Sequence, residues 1–435
     1  MTIQRAECGL ETVQAMIPQD AALVEIIRYV PFSHQAGAGA RWGSPRYGAY
    51  VLQAVGPPQW ADLGEAALID AAVADLRSAI AIQASIDQLR PLARTLDAAL
   101  MSPIRPLLGE ANSLLLSPDG TLSLLPWEVL VDEQQQYQLD RYSVSYLTSG
   151  RDLLRLSTTS QHRQAPLVLA NPDYDNASRL IDSSPVAVSN NQHLRSGDLA
   201  FLNYSPLPGT QAESEAIQNL LPDATVLLGM AATETRLKQV QGPYILHVAS
   251  HGFFLPDQEL ALHQPFSGNF FSPPQYQTFK IENPLLRSGL ALSGFNRRRS
   301  GRDDGVLTAL EVAGLDLGGT QLVVLSACET GLGDIHNGEG VYGLRRALVI
   351  AGSQSQVISL WKVSDSATKA MMVDYYQRLL TGAGRQEALR QAKITLLRNT
   401  DYQHPYYWAS FILSGDWSPL EKASLAGGIS DHDHL

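Results

Sequence analysis

Apolar and polar residues follow one another in short strand-like runs and longer helical stripes, and the order of the two changes near residue 163. Before that point the pattern predicts strands at Ala22 to Phe32 and Tyr47 to Ala54, then helices around Ala66 to Ile82 and Ile86 to Leu100. Ser113 to Leu116 and Leu122 to Pro126 flank Pro118-Asp119-Gly120, a turn signal, so this stretch reads as a hairpin. Tyr142 to Leu147 is expected as another strand. Ser157 to Gln164 is polar and aperiodic, as a linker would be.

Beyond the linker, strands and helices alternate, which is the pattern of a largely parallel sheet covered by helices. Strands are expected at Leu167 to Ala170, Val226 to Leu228, Tyr244 to Ala249, Gly289 to Ser293, Leu322 to Ala327 and Gln356 to Trp361, with Tyr407 to Leu413 closing the fold. Helices are expected at Thr233 to Val240, Val341 to Ala351, Ala367 to Leu380 and Gln386 to Arg398. Thr210 with Glu213, and Thr308 with Glu311, have the spacing of capping boxes, in which a Thr hydroxyl and a Glu carboxylate satisfy the free amides of a helix start. Met372, Tyr375, Tyr376, Leu379 and Leu380 share one helical face and read as a core stripe. The expected organisation is an α/β fold in three parts: a smaller supporting block over 1–163, a largely parallel sheet flanked by helices over 164–422, and a disordered tail over 423–435.

The chain has 435 residues, 45% of them hydrophobic and 17% charged, enough for more than one ordinary domain. Its formal net charge of −11, with no basic run interleaved with aromatics, argues against nucleic acid as a partner. Two cysteines, Cys8 and Cys328, exclude a disulfide framework and favour a reducing compartment. The first ten residues have no apolar core of a signal peptide, and no run is long enough to span a bilayer, so a cytoplasmic protein is expected. The remaining histidines show no paired ligand spacing, so neither a metal nor another cofactor is expected.

In open parallel sheets, ligands bind beyond the carboxyl ends of the strands. Two strands end in reactive groups here, one in Ser250-His251-Gly252 and the other in Ala327-Cys328-Glu329. A thiolate is the attacking form of cysteine, and a histidine whose pKa lies near neutrality is the usual partner that generates or stabilises it. Gly252 permits the close backbone approach that an oxyanion-binding amide needs, and the amide of Cys328 is the natural second donor. The competing readings are a small buried thiol and an ordinary strand-end turn.

Several motifs carry a family resemblance. His247-Val-Ala-Ser-His251-Gly252 and Val324-Leu-Ser-Ala-Cys328-Glu-Thr-Gly331-Leu-Gly333 resemble the CHAT domain, a caspase-like peptidase domain often joined to tetratricopeptide repeats. So do Gly338-Glu339-Gly340, Ser359-Leu-Trp361-Lys-Val363-Ser-Asp365, Pro405-Tyr-Tyr-Trp408 and Leu413-Ser-Gly415. Ile26-Ile-Arg-Tyr29 and Leu125-Pro-Trp-Glu128 look like the front part common in such proteins, an inactive caspase-like or supporting domain. The resemblance implies a cysteine endopeptidase acting on protein substrates, with His251 and Cys328 as its catalytic dyad and Gly252 as an oxyanion donor. It also implies a regulatory partner of the tetratricopeptide-repeat kind, since no such repeat is visible in the chain. The alternative is a catalytically silent interaction module. Asp365, which follows the Trp361 strand, is expected as a partly buried acid favouring Arg or Lys at P1, or else as a cap of the helix near Ala367. Trp361, Glu329 and Asp334 are the other candidates for the substrate pocket. Arg297-Arg-Arg-Ser-Gly-Arg302 is expected as a solvated loop, with autocleavage as the sharper alternative.

Overall fold

A computed structural model describes residues 9–34, 41–157, 163–177, 199, 202–255, 259–262, 277–280, 283–300, 303–326, 339–361 and 364–421. In the first block, α1 (Leu10–Gln14) precedes β1 (Ala21–Tyr29), β2 (Arg46–Gln53) and β3 (Gln59–Glu65). The helices α2 (Ala66–Ala81) and α3 (Ile86–Ile104) then lead to β4 (Ser113–Ser117), α4 (Gln138–Arg141), β5 (Ser143–Tyr146) and α5 (Asp152–Leu156). On α2 the buried residues Ala66, Ile69, Val73, Leu76 and Ile80 recur every three or four positions, so a single apolar stripe seats the helix on the sheet.

The second block continues with β6 (Leu167–Pro172), α6 (Pro208–Leu220), β7 (Thr225–Gly229), α7 (Glu234–Lys238), β8 (Ile245–Ala249), β9 (Gly252–Phe254), β10 (Glu259–Leu262) and β11 (Gln277–Lys280). After these come β12 (Ser288–Ala291), β13 (Val306–Thr308), α8 (Ala309–Val312), β14 (Leu322–Leu325), α9 (Glu339–Ala351) and β15 (Ser355–Ser359). The chain then forms α10 (Asp365–Leu380), α11 (Arg385–Arg398), α12 (Pro405–Trp408) and β16 (Phe411–Gly415).

Eleven strands form one sheet in the order β3-β2-β1-β4-β5-β16-β15-β14-β8-β6-β7. Pairing is antiparallel at β2–β3, β1–β2 and β15–β16, and parallel at the other junctions. The expected mixed α/β fold, with a large, mostly parallel sheet flanked by helices, is therefore present. Strands β8 and β14 are buried along their whole length, as parallel strands covered on both faces must be. The two blocks meet within this sheet, where Ser414 of β16 pairs with Tyr146 of β5, and the largest apolar cluster draws residues from both.

Several expectations need correction. The second arm of the expected hairpin, Leu122 to Pro126, is no strand: Gly120–Leu124 is a 3-10 turn that buries Leu122 and Leu124. Asp119 starts it by accepting from the Gly120 amide while also holding the Arg28 amide of β1, so the chain turns inward and does not pair back. Gln59–Glu65 is an edge strand that carries too few apolar residues to signal itself. Gly289 to Ser293 does not join the main sheet, since β12 sits in a separate antiparallel sheet of order β13-β12-β9. The last element divides into the single turn α12 and the strand β16. Leu380 lies on the exposed side of α10, 53% accessible, unlike the rest of its stripe. The tail over 423–435, most of the linker, and Cys8 lie outside the described residues. No helix among the described residues is long and apolar enough to cross a membrane.

Candidate active site

Strands β8, β14 and β15 run parallel and side by side, so their carboxyl ends share one rim of the sheet. Leu325 of β14 lies opposite Val248 of β8, and one residue later the Ser326 amide donates to the Val248 carbonyl at 3.0 Å. Strands β8 and β14 therefore end level on that rim, with His251 two residues beyond Ala249 and Ser326 the last described residue after β14. Cys328, Glu329 and Asp334 lie outside the described residues.

His251 is 5% exposed and is held from three directions. Its ring stacks on Tyr204 with centroids 4.5 Å apart and planes inclined by 17°, and Tyr174 flanks it at 5.2 Å. Its Nε2 lies 2.9 Å from the backbone carbonyl of Ser205. A carbonyl oxygen can only accept, so Nε2 carries the proton, and in the neutral ring Nδ1 is the basic nitrogen. The backbone of His251 is tied down by a directional chain. Its amide donates to the Tyr174 hydroxyl at 3.2 Å, that hydroxyl lies 3.1 Å from Ser250 Oγ, and Ser250 Oγ donates to the Ala291 carbonyl. Because Ser250 spends its own proton on Ala291, Tyr174 is the donor in the middle link.

Gly252 opens β9, where it lies opposite Leu290. The neighbouring hydrogen bonds run from Ala291 to the His251 carbonyl and from Leu255 to the Arg287 carbonyl. In an antiparallel ladder that spacing makes Gly252–Leu290 a non-hydrogen-bonded pair, which turns the Gly252 amide away from β12 toward the outer edge of the small sheet.

The substrate-pocket candidates fare differently. Trp361 stands just beyond β15 on the same rim, but it is 7% exposed and its indole donates to the Tyr406 carbonyl at 3.0 Å. Asp365 was expected to be partly buried and is exposed. It occupies the first turn of α10 after the flanking residue Ser364, and its side chain lies so close to Gly209 of α6 that a Cβ there would fall 2.0 Å from Oδ2. Two helix starts thus converge on this carboxylate, which sits favourably at their positive ends.

Thr210 and Glu213 form no capping box. Helix α6 begins two residues earlier, at Pro208, and Thr210 Oγ1 accepts from the Asn171 amide of β6 and donates to the Leu207 carbonyl. Glu213 faces inward, its carboxylate 3.1 Å from His247 Nε2, while His247 Nδ1 lies 3.1 Å from the Tyr376 hydroxyl. Burial pushes the Tyr376 phenol well above its usual pKa, so it stays protonated. His247, the first histidine of its motif, is a core residue with no exposure at all.

Tyr174, Tyr204 and Ser205 escaped the sequence reading. Tyr174 follows Asn171-Pro172-Asp173, a recognisable strand end, but nothing near Ser205 marks a backbone carbonyl as an imidazole acceptor. The visible part of the basic run is compact: the Arg298 guanidinium lies over the Phe295 ring at 3.9 Å, and the buried Ser300 bridges to Asp303.

Comparison with known proteins sets this rim in context. The chain is 27% identical over 321 residues to tetratricopeptide repeat protein 28 of Homo sapiens, a match covering 73% of this chain and 12% of that protein. It is 24% identical over 326 residues to the Mus musculus protein of the same name, again at 73% and 12%. The chain therefore spans about an eighth of the length of these curated relatives. Among solved structures it is similar to the Arg-specific cysteine proteinase gingipain R (TM-score 0.39, 7% identity, 72% of this chain and 64% of that one). It is also similar to the Saccharomyces cerevisiae separase–securin complex (TM-score 0.40, 12% identity, 74% and 17%). The family model described as CHAT domain matches residues 90–416, three-quarters of the sequence and parts of both blocks, and the chain belongs to the CHAT domain family.

Proposed function

We propose that the protein is a caspase-like cysteine endopeptidase of the CHAT family, with Cys328 as nucleophile and His251 as its base. The observation that carries this reading is the fixed His251 ring: Nε2 is committed to the Ser205 carbonyl, which makes Nδ1 the proton acceptor, at the end of the strand beside the one leading to Cys328. In the proposed reaction the Cys328 thiolate attacks the scissile carbonyl and the Gly252 amide supports the oxyanion. His251 then protonates the leaving amine, and water hydrolyses the thioester. The residues before 163 act as a supporting half. Asp365 is assigned to recognition of a basic P1 side chain, and a partner with tetratricopeptide repeats to regulation, in keeping with the name of the curated relatives.

Profiling cleavage products from a peptide library tests the reading. Turnover should be abolished in Cys328→Ala and in His251→Ala with the circular dichroism spectrum retained. Full activity without Cys328 would refute the assignment. The second reading, a silent docking module, also draws on the relatives' repeat name. An electrophilic peptide with Arg at P1 separates the two, because only a live thiolate is labelled.

A further inference from the structure

The segment 202–207 contains no helix or strand, yet it supplies both the ring that stacks on His251 and the carbonyl that holds its Nε2. Backbone without regular hydrogen bonding keeps a fixed position only where something else satisfies it. Thr210 holds the Leu207 carbonyl through its amide and its Oγ1, and two side-chain amides act on the segment, one on each side of Ser205.

Asn296 grips Tyr204 by both its backbone groups. Its Oδ1 accepts from the Tyr204 amide at 2.9 Å and its Nδ2 donates to the Tyr204 carbonyl at 3.0 Å, as a neighbouring strand residue would. The same Nδ2 reaches Asp175 Oδ1 at 3.2 Å, and the Asn296 amide donates to the Tyr174 carbonyl at 2.8 Å. One residue therefore fixes both tyrosines that flank the imidazole. On the other side, Asn171 Oδ1 accepts from the Leu207 amide at 3.2 Å, and the Asn171 amide donates to Thr210 Oγ1 at 3.0 Å. Asn171 sits at a φ of 44°, a left-handed conformation that Asn tolerates better than most residues.

We propose that Asn296 and Asn171 are positioning residues that keep the Ser205 carbonyl on His251 Nε2, and so dictate which ring nitrogen takes up the proton. This deepens the peptidase reading and rests on it for its catalytic meaning, though the hydrogen-bond claim stands independently. Removing either amide loosens the segment beside Ser205, even with Thr210 still on the Leu207 carbonyl, and the Ser205 carbonyl then enforces one tautomer of the imidazole less strictly.

Ring nitrogen-15 spectra of the full chain read the tautomer directly, with His251→Gln identifying the signal. The wild-type ring should show a protonated Nε2 and an Nδ1 that carries no proton. In Asn296→Ala, and in Asn171→Gly, which keeps the backbone angle at no steric cost, the signal should move toward a mixture of tautomers. Asn296→Asp retains the bond to the Tyr204 amide and should fall between the two, and it serves as the probe if Asn296→Ala does not fold. Asn176→Ala, which removes an exposed amide bonded to Asp173, should leave the signal unchanged. With substrate, kcat should fall by up to about 100-fold in Asn296→Ala with little change in KM, the loss expected from slight misplacement of a reacting group. Persistence of the Nε2-protonated tautomer in folded Asn296→Ala, Asn296→Asp and Asn171→Gly would overturn the proposal. A wild-type ring with the expected tautomer beside a Cys328 that resists iodoacetamide would instead refute the peptidase reading and leave this one intact.

Discussion

An imidazole presents two nitrogens of different character, and His251 shows how a fold chooses between them using nothing more than a main-chain oxygen. Its motif was legible because His247-Val-Ala-Ser-His251-Gly252 as a whole resembles the CHAT domain, a His-Gly pair after an apolar strand being by itself an ordinary turn. The acceptor was not legible, because Ser205 contributes only its backbone and no side-chain pattern announces that. Asp365 illustrates the opposite error. Its place after Trp361 and at the start of the helix near Ala367 were both legible, but the expected partial burial was not met: the side chain projects into solvent beside Gly209. The expected consequence is quantitative. An exposed carboxylate contributes about 0.5–1 kcal/mol to an ion pair, so Asp365→Asn should lower kcat/KM after Arg by about two- to fivefold. A ratio of Arg to Gln cleavage that does not move, alongside a lower melting temperature, would assign the residue to the helix end alone.

At the scale of elements, two identical spacings had different outcomes. Thr308 and Glu311 do form a capping box, with Glu311 Oε2 accepting from the Thr308 amide at 3.0 Å and Thr308 Oγ1 accepting from the Glu311 amide at 3.3 Å. Thr210 and Glu213 do not, because Pro208 starts that helix early and the two side chains are taken by Asn171 and His247. A local signal holds only where no distant residue competes for the same atoms. The Glu311 cap also belongs to a larger cluster. Lys238 of α7 bridges Glu234 at 2.6 Å, Asp303 at 3.0 Å and Glu311 at 3.1 Å, and Glu234 accepts from the Gly305 amide at 2.8 Å. Burial, opposed by Lys238, pushes the Glu234 carboxyl up to about 8. A carboxyl raised in the folded state holds its proton there after the unfolded chain has lost it. Its contribution to stability is therefore greatest in acid, declines as pH rises from the unfolded value, and levels off above about 8. Melting temperatures across pH 5 to 9 should show this decline in the wild type and a flatter profile in Glu234→Gln. Parallel profiles would show that the carboxylate is charged throughout.

Across the whole molecule, strand content was readable and strand order was not. Apolar runs such as Leu322–Leu325 declare burial, but nothing local states that β16 lies between β5 and β15 or that direction reverses there. The linkage between halves was equally hidden. Glu128, in the Leu125-Pro-Trp-Glu segment, is buried against Lys393 of α11 and accepts from the Tyr146 hydroxyl at 3.1 Å. Lys393→Met leaves that carboxylate without its cation and should cost about 3–5 kcal/mol in urea unfolding. Glu128→Leu combined with Lys393→Met should recover most of the loss, and failure to recover would mean that packing, not charge, joins the halves there. The reversal at the β15–β16 junction has a practical outcome. Strands β1, β4, β5 and β16 end on the margin opposite the one where β8, β14 and β15 end. An affinity handle, fluorophore or solid support grafted onto that far margin therefore sits away from the rim that carries His251.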